Sequence, residues 1–183
     1  MVDVRRQDLE HIIRAAGAIA EDNEIVVIGS QAILATFPDA PEELLQSSEA
    51  DIFPLHHPER ADLIDGAMGE FTMFHDTFGY YAQGVGPATA VAPEGWEQRF
   101  VSLVNANTEG ITGRCLEVHD LFLAKLRAMR PKDIRYCRGM VATGLVDHDL
   151  LRDRVALMPV DAEIKQLLSE LLEGMLHPAT TEN

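Results

Sequence analysis

The chain has 183 residues, 46% hydrophobic and 25% charged, which suits one folded domain or a compact core with a helical appendage. A formal net charge of −15 argues against a protein that wraps duplex nucleic acid, because its surface would repel the phosphate backbone. Two cysteines are too few for a disulfide framework, and no export signal or run of 18 apolar residues is visible, so we expect a cytoplasmic protein without a membrane span.

The first half of the chain predicts alternating helices and strands. Apolar residues at three- and four-residue spacing predict an amphipathic helix over 5–22. The unbroken apolar run "EIVVIG" then indicates a strand covered on both faces and therefore central in a sheet. A two-turn helix in "QAILATF", a strand in "ADIFPL" and a helix in "HPERADLIDGAMGEF" follow. The segments "GYYAQGV", "ATAVA" and "RFVSLVN" are three further strand candidates.

The character of the sequence changes at Leu116. Four successive segments after it have helical periodicity: "VHDLFLAKLRAM", "KDIRYCRGMVATG", "DHDLLRDRVALM" and "DAEIKQLLSELLEGML". The predicted fold class is α/β (α+β). A small mixed sheet flanked by helices occupies 1–115, and a helical region occupies 116–183.

The turn after the first strand is the first candidate site. Gly29 and Ser30 end "EIVVIG" and begin the next helical pattern, so backbone N–H groups and a hydroxyl would point outward at a helix start. Such a turn can hold a phosphate, because glycine admits a ligand close to the backbone. Gly-Ser is also an ordinary connection between a strand and a helix, so a turn with no role in binding is the alternative interpretation.

A pair of acids forms the second candidate. Glu49 and Asp51 stand two residues apart on a predicted strand, so both side chains point to the same face. Adjacent carboxylates repel each other unless a cation lies between them, and oxygen ligands of this kind suit Mg²⁺. Alternatively, both acids are solvated on an edge strand.

The two features in this order resemble the nucleotidyltransferase superfamily. The later segment "GITGRCLEVHDLFLAKLRAMRPKDIRYCRGM" looks like uncharacterised bacterial families of this superfamily that are akin to AbiEii-type toxins. The likeness runs from about Ile25 to Gly144. It implies a nucleotidyltransferase-like fold in which the turn at 29–30 holds the triphosphate of a nucleotide. It also implies that Glu49 and Asp51 are the catalytic acids that bind Mg²⁺.

The chain departs from the superfamily pattern in two ways. Active members commonly have aspartate at both strand positions, whereas Glu49 is longer by one methylene group. They also commonly supply a third carboxylate from a later strand, and "YYAQGVGPATAVAP" contains no acid. A protein of the same fold that binds nucleotide or regulates a partner, without catalysis, is therefore a rival prediction.

A local excess of basic residues is the third candidate. Six of the fifteen basic residues lie between Lys125 and Arg138, in a strongly acidic protein. Lys125 and Arg130 fall in the segment that resembles the family and are predicted to neutralise phosphate charge. The alternatives are a solvated helix face or pairing with the acidic C-terminal helices, and Asp133 is a possible partner for one of the arginines.

Several other residues are interpreted as structural rather than functional. His56 and His57, although close to the acids, are interpreted as polar loop residues rather than metal ligands. Neither Cys115 nor Cys137 has the neighbours of a thiol nucleophile. The apolar stripe over 161–176 suits a core, and it also permits a homodimer or a protein partner.

Two functions follow from these observations. The first is metal-dependent transfer of a nucleoside monophosphate from a nucleoside triphosphate to a hydroxyl acceptor of unknown identity. The second is a catalytically degenerate nucleotide-binding or antitoxin-like regulatory protein of the same fold.

Overall fold

The structure, a computed structural model, describes residues 4–177. Its strands are β1 (Glu24–Val27), β2 (Glu49–Pro54), β3 (Tyr81–Gly84), β4 (Val101–Leu103) and β5 (Thr112–Cys115). Its α-helices are α1 (Arg6–Ala20), α2 (Ile33–Thr36), α3 (Ala61–Met68), α4 (Met73–Phe78), α5 (Val118–Ala128), α6 (Pro131–Ala142), α7 (His148–Val155) and α8 (Ala162–Leu176). None of the helices within residues 4–177 is long and apolar enough to cross a membrane.

The described chain divides into two compact units. The first contains residues 4–90 and 97–117, and the second contains residues 91–96 and 118–177. All five strands belong to the first unit, whereas α5 to α8 belong to the second. The last residues of the predicted helical region, 178–183, lie outside the described residues.

The first unit is built on a mixed sheet with the strand order β3-β2-β1-β5-β4. β1 is antiparallel to β2 and parallel to β5, while β2 is parallel to β3 and β4 is antiparallel to β5. The central position predicted for β1 is confirmed, as is the mixed sheet flanked by helices. β1 is central because Ile25, Val26 and Val27 are fully buried, so both faces of the strand are covered.

α1 forms because its apolar residues fall on one stripe. Leu9, Ile12, Ile13 and Ala16 recur at helical spacing and are all fully buried. The helix packs against the sheet and against α3. It therefore supplies much of the apolar core of the first unit.

The position of α3 determines which face of β2 and β3 is covered. The backbone of Gly84 lies against α3, since a Cβ atom at this position would overlap the carbonyl oxygen of Ala61. Gly84 is paired with Ile52, so both face α3, together with the buried Ala50 and Ala82. Since side chains alternate along a strand, the intervening residues of β2 and β3 point to the opposite face.

Some predicted elements differ from the structure. The strand predicted in "ATAVA" is wrong, since this segment contains a 3-10 turn over Pro87–Thr89 and no strand. The helix predicted in "QAILATF" is shorter: a 3-10 turn over Ser30–Ala32 precedes the single α-turn of α2. The strand β5 and the short helix α4 were not predicted.

The second unit consists of packed helices with charged residues in its interior. α5 contacts α6 and α7, and α8 contacts α6 and α7. Arg154 donates a 2.9 Å hydrogen bond to Asp120, whose side chain is fully buried. The Nε2 atom of His119 accepts a hydrogen bond of 2.8 Å from the backbone N–H of Asp147. This agrees with a local structural role for the histidine.

Candidate functional site

The turn after β1 lies directly against the acidic strand. The backbone N–H of Ile28 donates to the carbonyl oxygen of Asp51 over 3.0 Å. At Gly29, a Cβ atom would lie 2.6 Å from Oδ2 of Asp51 and 3.1 Å from its Cβ atom. Only glycine leaves room for the carboxylate here. Two features far apart in sequence therefore form one site.

A buried glutamine joins the same turn to the segment that leads into β2. Gln31 is fully buried, and its Nε2 group donates to the carbonyl oxygen of Ser47 over 2.8 Å. Its Oε1 atom has no hydrogen-bond partner within residues 4–177. Ser30, which begins the 3-10 turn, is partly exposed. Because the helical segment after Ser30 is so short, a phosphate here would depend on local N–H and O–H groups more than on a helix dipole.

Glu49 and Asp51 share the face of β2 that points away from α3. Both are partly exposed, whereas Ala50 between them is buried. Tyr81 of β3 is paired with Glu49 in the sheet, and its hydroxyl group is hydrogen-bonded to the Glu49 carboxylate. Burial and the nearby charges of Glu49, Glu70 and Asp51 raise the pKa of Tyr81 to about 12. The phenol is therefore neutral at physiological pH and can donate to the acid.

The third strand places a neutral amide beside the second acid. Gln83 is paired with Asp51 and is exposed. In the superfamily pattern this neighbouring strand would supply a carboxylate. Within the described part of the chain, no group of three or more His, Cys, Asp or Glu side chains is arranged to hold a metal ion. The magnesium site predicted from the sequence therefore rests on two carboxylates, those of Glu49 and Asp51.

Aromatic side chains continue the site beyond β3. The rings of His75 and Tyr81 have centroids 4.8 Å apart, and those of Phe71 and His75 are 6.5 Å apart. The backbone N–H of Phe71 donates to Nδ1 of His75 over 3.2 Å, which holds the loop before α4 against the imidazole. Phe71 has a positive φ of 65°, and its side chain is 83% exposed. A large apolar ring is therefore held in water beside His75.

The predicted basic residues lie in the second unit and share one carboxylate. Nζ of Lys125 is 3.4 Å from Asp133, and Nε of Arg130 is 2.6 Å from it. Burial alone would raise the pKa of Asp133, but the hydrogen bond from Arg130 and the charge of Lys125 outweigh it and lower that pKa. Lys125 also lies over the ring of Tyr136, with Nζ 4.7 Å from the centroid. Of the two cations, Arg130 is the more accessible, with a side chain 59% exposed against 12% for Lys125.

The histidines after β2 contact a different acid. Nδ1 of His56 is 2.9 Å from Oδ1 of Asp22, and the backbone N–H groups of His56 and His57 donate to Oδ2 of the same carboxylate. Asp22 is buried, and these bonds tie the end of β2 to the segment before β1. This arrangement explains the two residues structurally.

The comparison with protein families identifies the family to which the chain belongs. Residues 7–167 match the family described as "Nucleotidyltransferase of unknown function (DUF6036)". The chain belongs to this family. No curated protein and no solved structure gives a significant match. Membership in this nucleotidyltransferase family supports the resemblance drawn from the Gly-Ser turn and the acid pair.

Sequence reasoning missed several residues of this nucleotidyltransferase-like site. Gln31, His75 and Tyr81 were not singled out, because each is an ordinary residue within its own segment. They join the site through strand pairing and loop packing. The sequence offered one weak signal, the position of Tyr81 within a predicted strand. Without the register, its partner Glu49 could not be identified.

Proposed function

We propose that the protein is a magnesium-dependent nucleotidyltransferase that moves a nucleoside monophosphate from a nucleoside triphosphate to a hydroxyl acceptor. The observation that carries the proposal is the contact of Gly29 with Asp51, which joins the phosphate-type turn to the acid pair. Membership in the nucleotidyltransferase family adds support.

Each residue of the turn and strand has a distinct role in this proposal. Gly29 and Ser30 hold the β- and γ-phosphates through backbone N–H groups and the hydroxyl. Glu49 and Asp51 offer only oxygen ligands on one face of β2, a donor set that suits Mg²⁺ with water and phosphate completing its shell. When bound, the ion would offset the charge that develops on the phosphate oxygens.

The reaction is an in-line displacement. The acceptor oxygen forms a bond to the α-phosphorus, the bond to the bridging oxygen breaks, pyrophosphate leaves and the proton of the acceptor hydroxyl passes to solvent water. Tyr81 holds the Glu49 carboxylate by donating its phenolic proton in a hydrogen bond. In the second unit, Lys125 and Arg130, which both lie beside Asp133, are proposed to neutralise phosphate charge.

A second candidate function is supported by Gln83. An amide lies beside Asp51 on the strand that supplies the third carboxylate in active relatives. A carboxylate can accept the acceptor's proton, whereas a neutral amide cannot. This favours a catalytically degenerate protein of the same fold that binds nucleotide and regulates a partner, as an antitoxin-like protein would. In either case we expect the protein to act in the cytoplasm, as a monomer, a homodimer or a complex with a protein partner.

Calorimetry tests both candidates. Each of the four ribonucleoside triphosphates is titrated into the protein with and without Mg²⁺. The titration is repeated on Asp51→Asn and Glu49→Gln, with Asp39→Asn, an exposed loop acid, as the control. Magnesium-dependent binding that is lost in the first two variants and kept in the third supports a nucleotide site. Absence of nucleotide binding by the wild-type protein contradicts both candidates, and equal binding by all four proteins contradicts the role of Glu49 and Asp51.

Turnover separates transfer from binding alone. The protein is incubated with an α-phosphate-labelled nucleotide and an extract that supplies acceptors. Transfer of the label from the nucleotide to an acceptor, abolished by Asp51→Asn, supports the transferase. Binding without turnover supports the regulatory candidate.

A further inference from the structure

We propose that the side of the acid pair formed by β3 and α4 is the acceptor site, and that it takes an aromatic alcohol with no negative charge. The inference rests on the proposed function, because it assigns the acceptor of that same reaction. Tyr81, His75 and Phe71 are the residues that form it.

Reaction geometry gives the direction from which the acceptor must come. In an in-line displacement, the attacking and leaving oxygens lie on opposite sides of the phosphorus. The turn proposed to hold the leaving pyrophosphate follows β1, and β1 and β3 flank β2 on opposite sides. The acceptor hydroxyl therefore approaches across β3, past Tyr81 and Gln83, whose side chains share the face of Glu49 and Asp51.

The side chains on that approach favour an aromatic group. The Tyr81 and His75 rings are 4.8 Å apart, and Phe71 extends this row into water. Phe71 and Met73 are 83% and 85% exposed, although apolar side chains of this size gain free energy when covered. An aromatic ring placed on Phe71 and His75 would cover such surface beside Tyr81.

The charges on that side favour an acceptor that is neutral or cationic. The carboxylates of Glu49, Asp51 and Glu70 all lie near enough to Tyr81 to act on its hydroxyl group. Even with Mg²⁺ bound by Glu49 and Asp51, the Glu70 carboxylate and the triphosphate would repel an anionic acceptor and weaken its binding. A cationic aromatic alcohol would be attracted, both by the acids and by the ring faces.

Saturation-transfer NMR on the full chain tests the site with tyramine, which combines a phenol with an ammonium group. 4-Hydroxyphenylacetate has the same ring with a negative charge, and ethanolamine has the charge and hydroxyl without the ring. We expect signals from tyramine and none from the other two. The same ring presented within Lys-Tyr-Lys amide distinguishes a peptide acceptor from a free molecule by which of the two binds more tightly.

Phe71→Asn is the informative variant. Asparagine tolerates the left-handed backbone at this exposed position, so the fold should be preserved while the ring is removed. We expect tyramine to bind about threefold to tenfold more weakly, with nucleotide affinity unchanged. Val104→Asn removes a side chain that is 54% exposed next to β4, the strand at the opposite edge of the sheet, and should change neither affinity.

The outcomes separate this inference from the proposed function. Nucleotide binding with no tyramine binding, or with equal tyramine binding in Phe71→Asn, overturns the acceptor site and leaves the proposed function in place. Stronger binding of 4-hydroxyphenylacetate than of tyramine also overturns it. If no nucleotide binds in the titration, the proposed function is overturned. A molecule bound at Phe71 would then not be the acceptor of that reaction.

Discussion

Gly29 and Asp51 are in contact across β1 and β2, and the contact leaves no space for a side chain at position 29. The φ of Gly29 is −82°, a value open to any residue. The requirement for glycine is therefore steric, and it comes from the carboxylate that we propose as a magnesium ligand.

Gly29→Ala should consequently displace Asp51. We expect a loss of about 1–3 kcal/mol in the free energy of unfolding, typical of overpacking, and at least a tenfold loss of nucleotide affinity. Urea denaturation and calorimetry measure the two effects. Gly66→Ala is the matched control: a methyl group at this position of α3 would have no described atom within 4 Å, so it should stabilise the protein by about 0.5–1 kcal/mol. Equal behaviour of the two variants would refute the steric argument.

Gln83→Asp should reveal whether the absence of a third carboxylate limits catalysis. The substitution places an acid beside Asp51 on β3, where it can accept the proton of an attacking hydroxyl. If the wild type transfers nucleotides slowly, we expect release of pyrophosphate to rise by about tenfold to a hundredfold in the variant. Gln83→Asn keeps a neutral amide and should not change the rate. A slower Gln83→Asp enzyme would show that the amide itself serves the reaction.

The tyrosines should resist ionisation in the folded protein. Burial raises the pKa of Tyr80, Tyr81 and Tyr136, in the case of Tyr81 to about 12. A free tyrosine is half ionised near pH 10, so the native protein should show little phenolate absorbance at that pH. In the unfolded chain the tyrosines ionise at a lower pH than in the native protein. The stability that the folded state gains from keeping them neutral is therefore complete below pH 10 and is lost as the pH rises toward 12. A spectrophotometric titration near 295 nm gives the result.

Asp51→Asn should shift part of that titration downward. The Asp51 charge is one cause of the raised pKa of Tyr81, and its removal makes the phenolate less unfavourable. Asp39→Asn should leave the curve unchanged. An identical curve for Asp51→Asn would mean that the acid and the phenol do not interact in solution.

Arg154→Met should unfold the second unit more readily. Asp120 is fully buried and Arg154 is 11% exposed, so the substitution leaves a buried carboxylate without this cation. We expect a loss of about 3–5 kcal/mol. Arg152→Met removes an arginine of the same helix whose partners, Asp149 and Glu173, are solvent-exposed, and should destabilise the protein much less. Denaturant unfolding followed by circular dichroism compares them, and equal losses would contradict the buried-pair argument.

Arg130→Gln should weaken nucleotide binding if the basic residues serve phosphate. Although the side chain of Arg130 is 59% exposed, its partner Asp133 is 1% exposed, so the variant also removes a hydrogen bond to a buried carboxylate and should lower the melting temperature. We expect a several-fold weaker affinity that depends less on salt concentration. Arg138→Gln, on an exposed part of the same helix, is the control. Unchanged nucleotide affinity would assign Arg130 to structure alone.

Local patterns predicted the elements that depend on their own residues. The apolar stripe of α1 and the β-branched run of β1 each bury a continuous surface, so the periodicity specifies the element directly. β5, with the sequence "TGRC", has no such signal. It is a strand because it pairs in parallel with β1, Glu24 with Thr112 and Val26 with Arg114. The side chains of Glu24 and Arg114 form an ion pair, and the glycine in the middle of β5 admits the side chain of Ile13.

The features of the candidate site are likewise of two kinds, those that depend on one element and those that depend on tertiary contacts. The residues of single elements were enough to predict that a small turn ends a buried strand and that Glu49 and Asp51 point to one face, because both follow from spacing along one element. The tertiary structure decided that Gly29 lies against Asp51, that Tyr81 and Gln83 stand beside the two acids, and that Lys125 and Arg130 share Asp133. These relationships depend on strand register and helix packing, which join residues far apart in the chain, and no local periodicity encodes them.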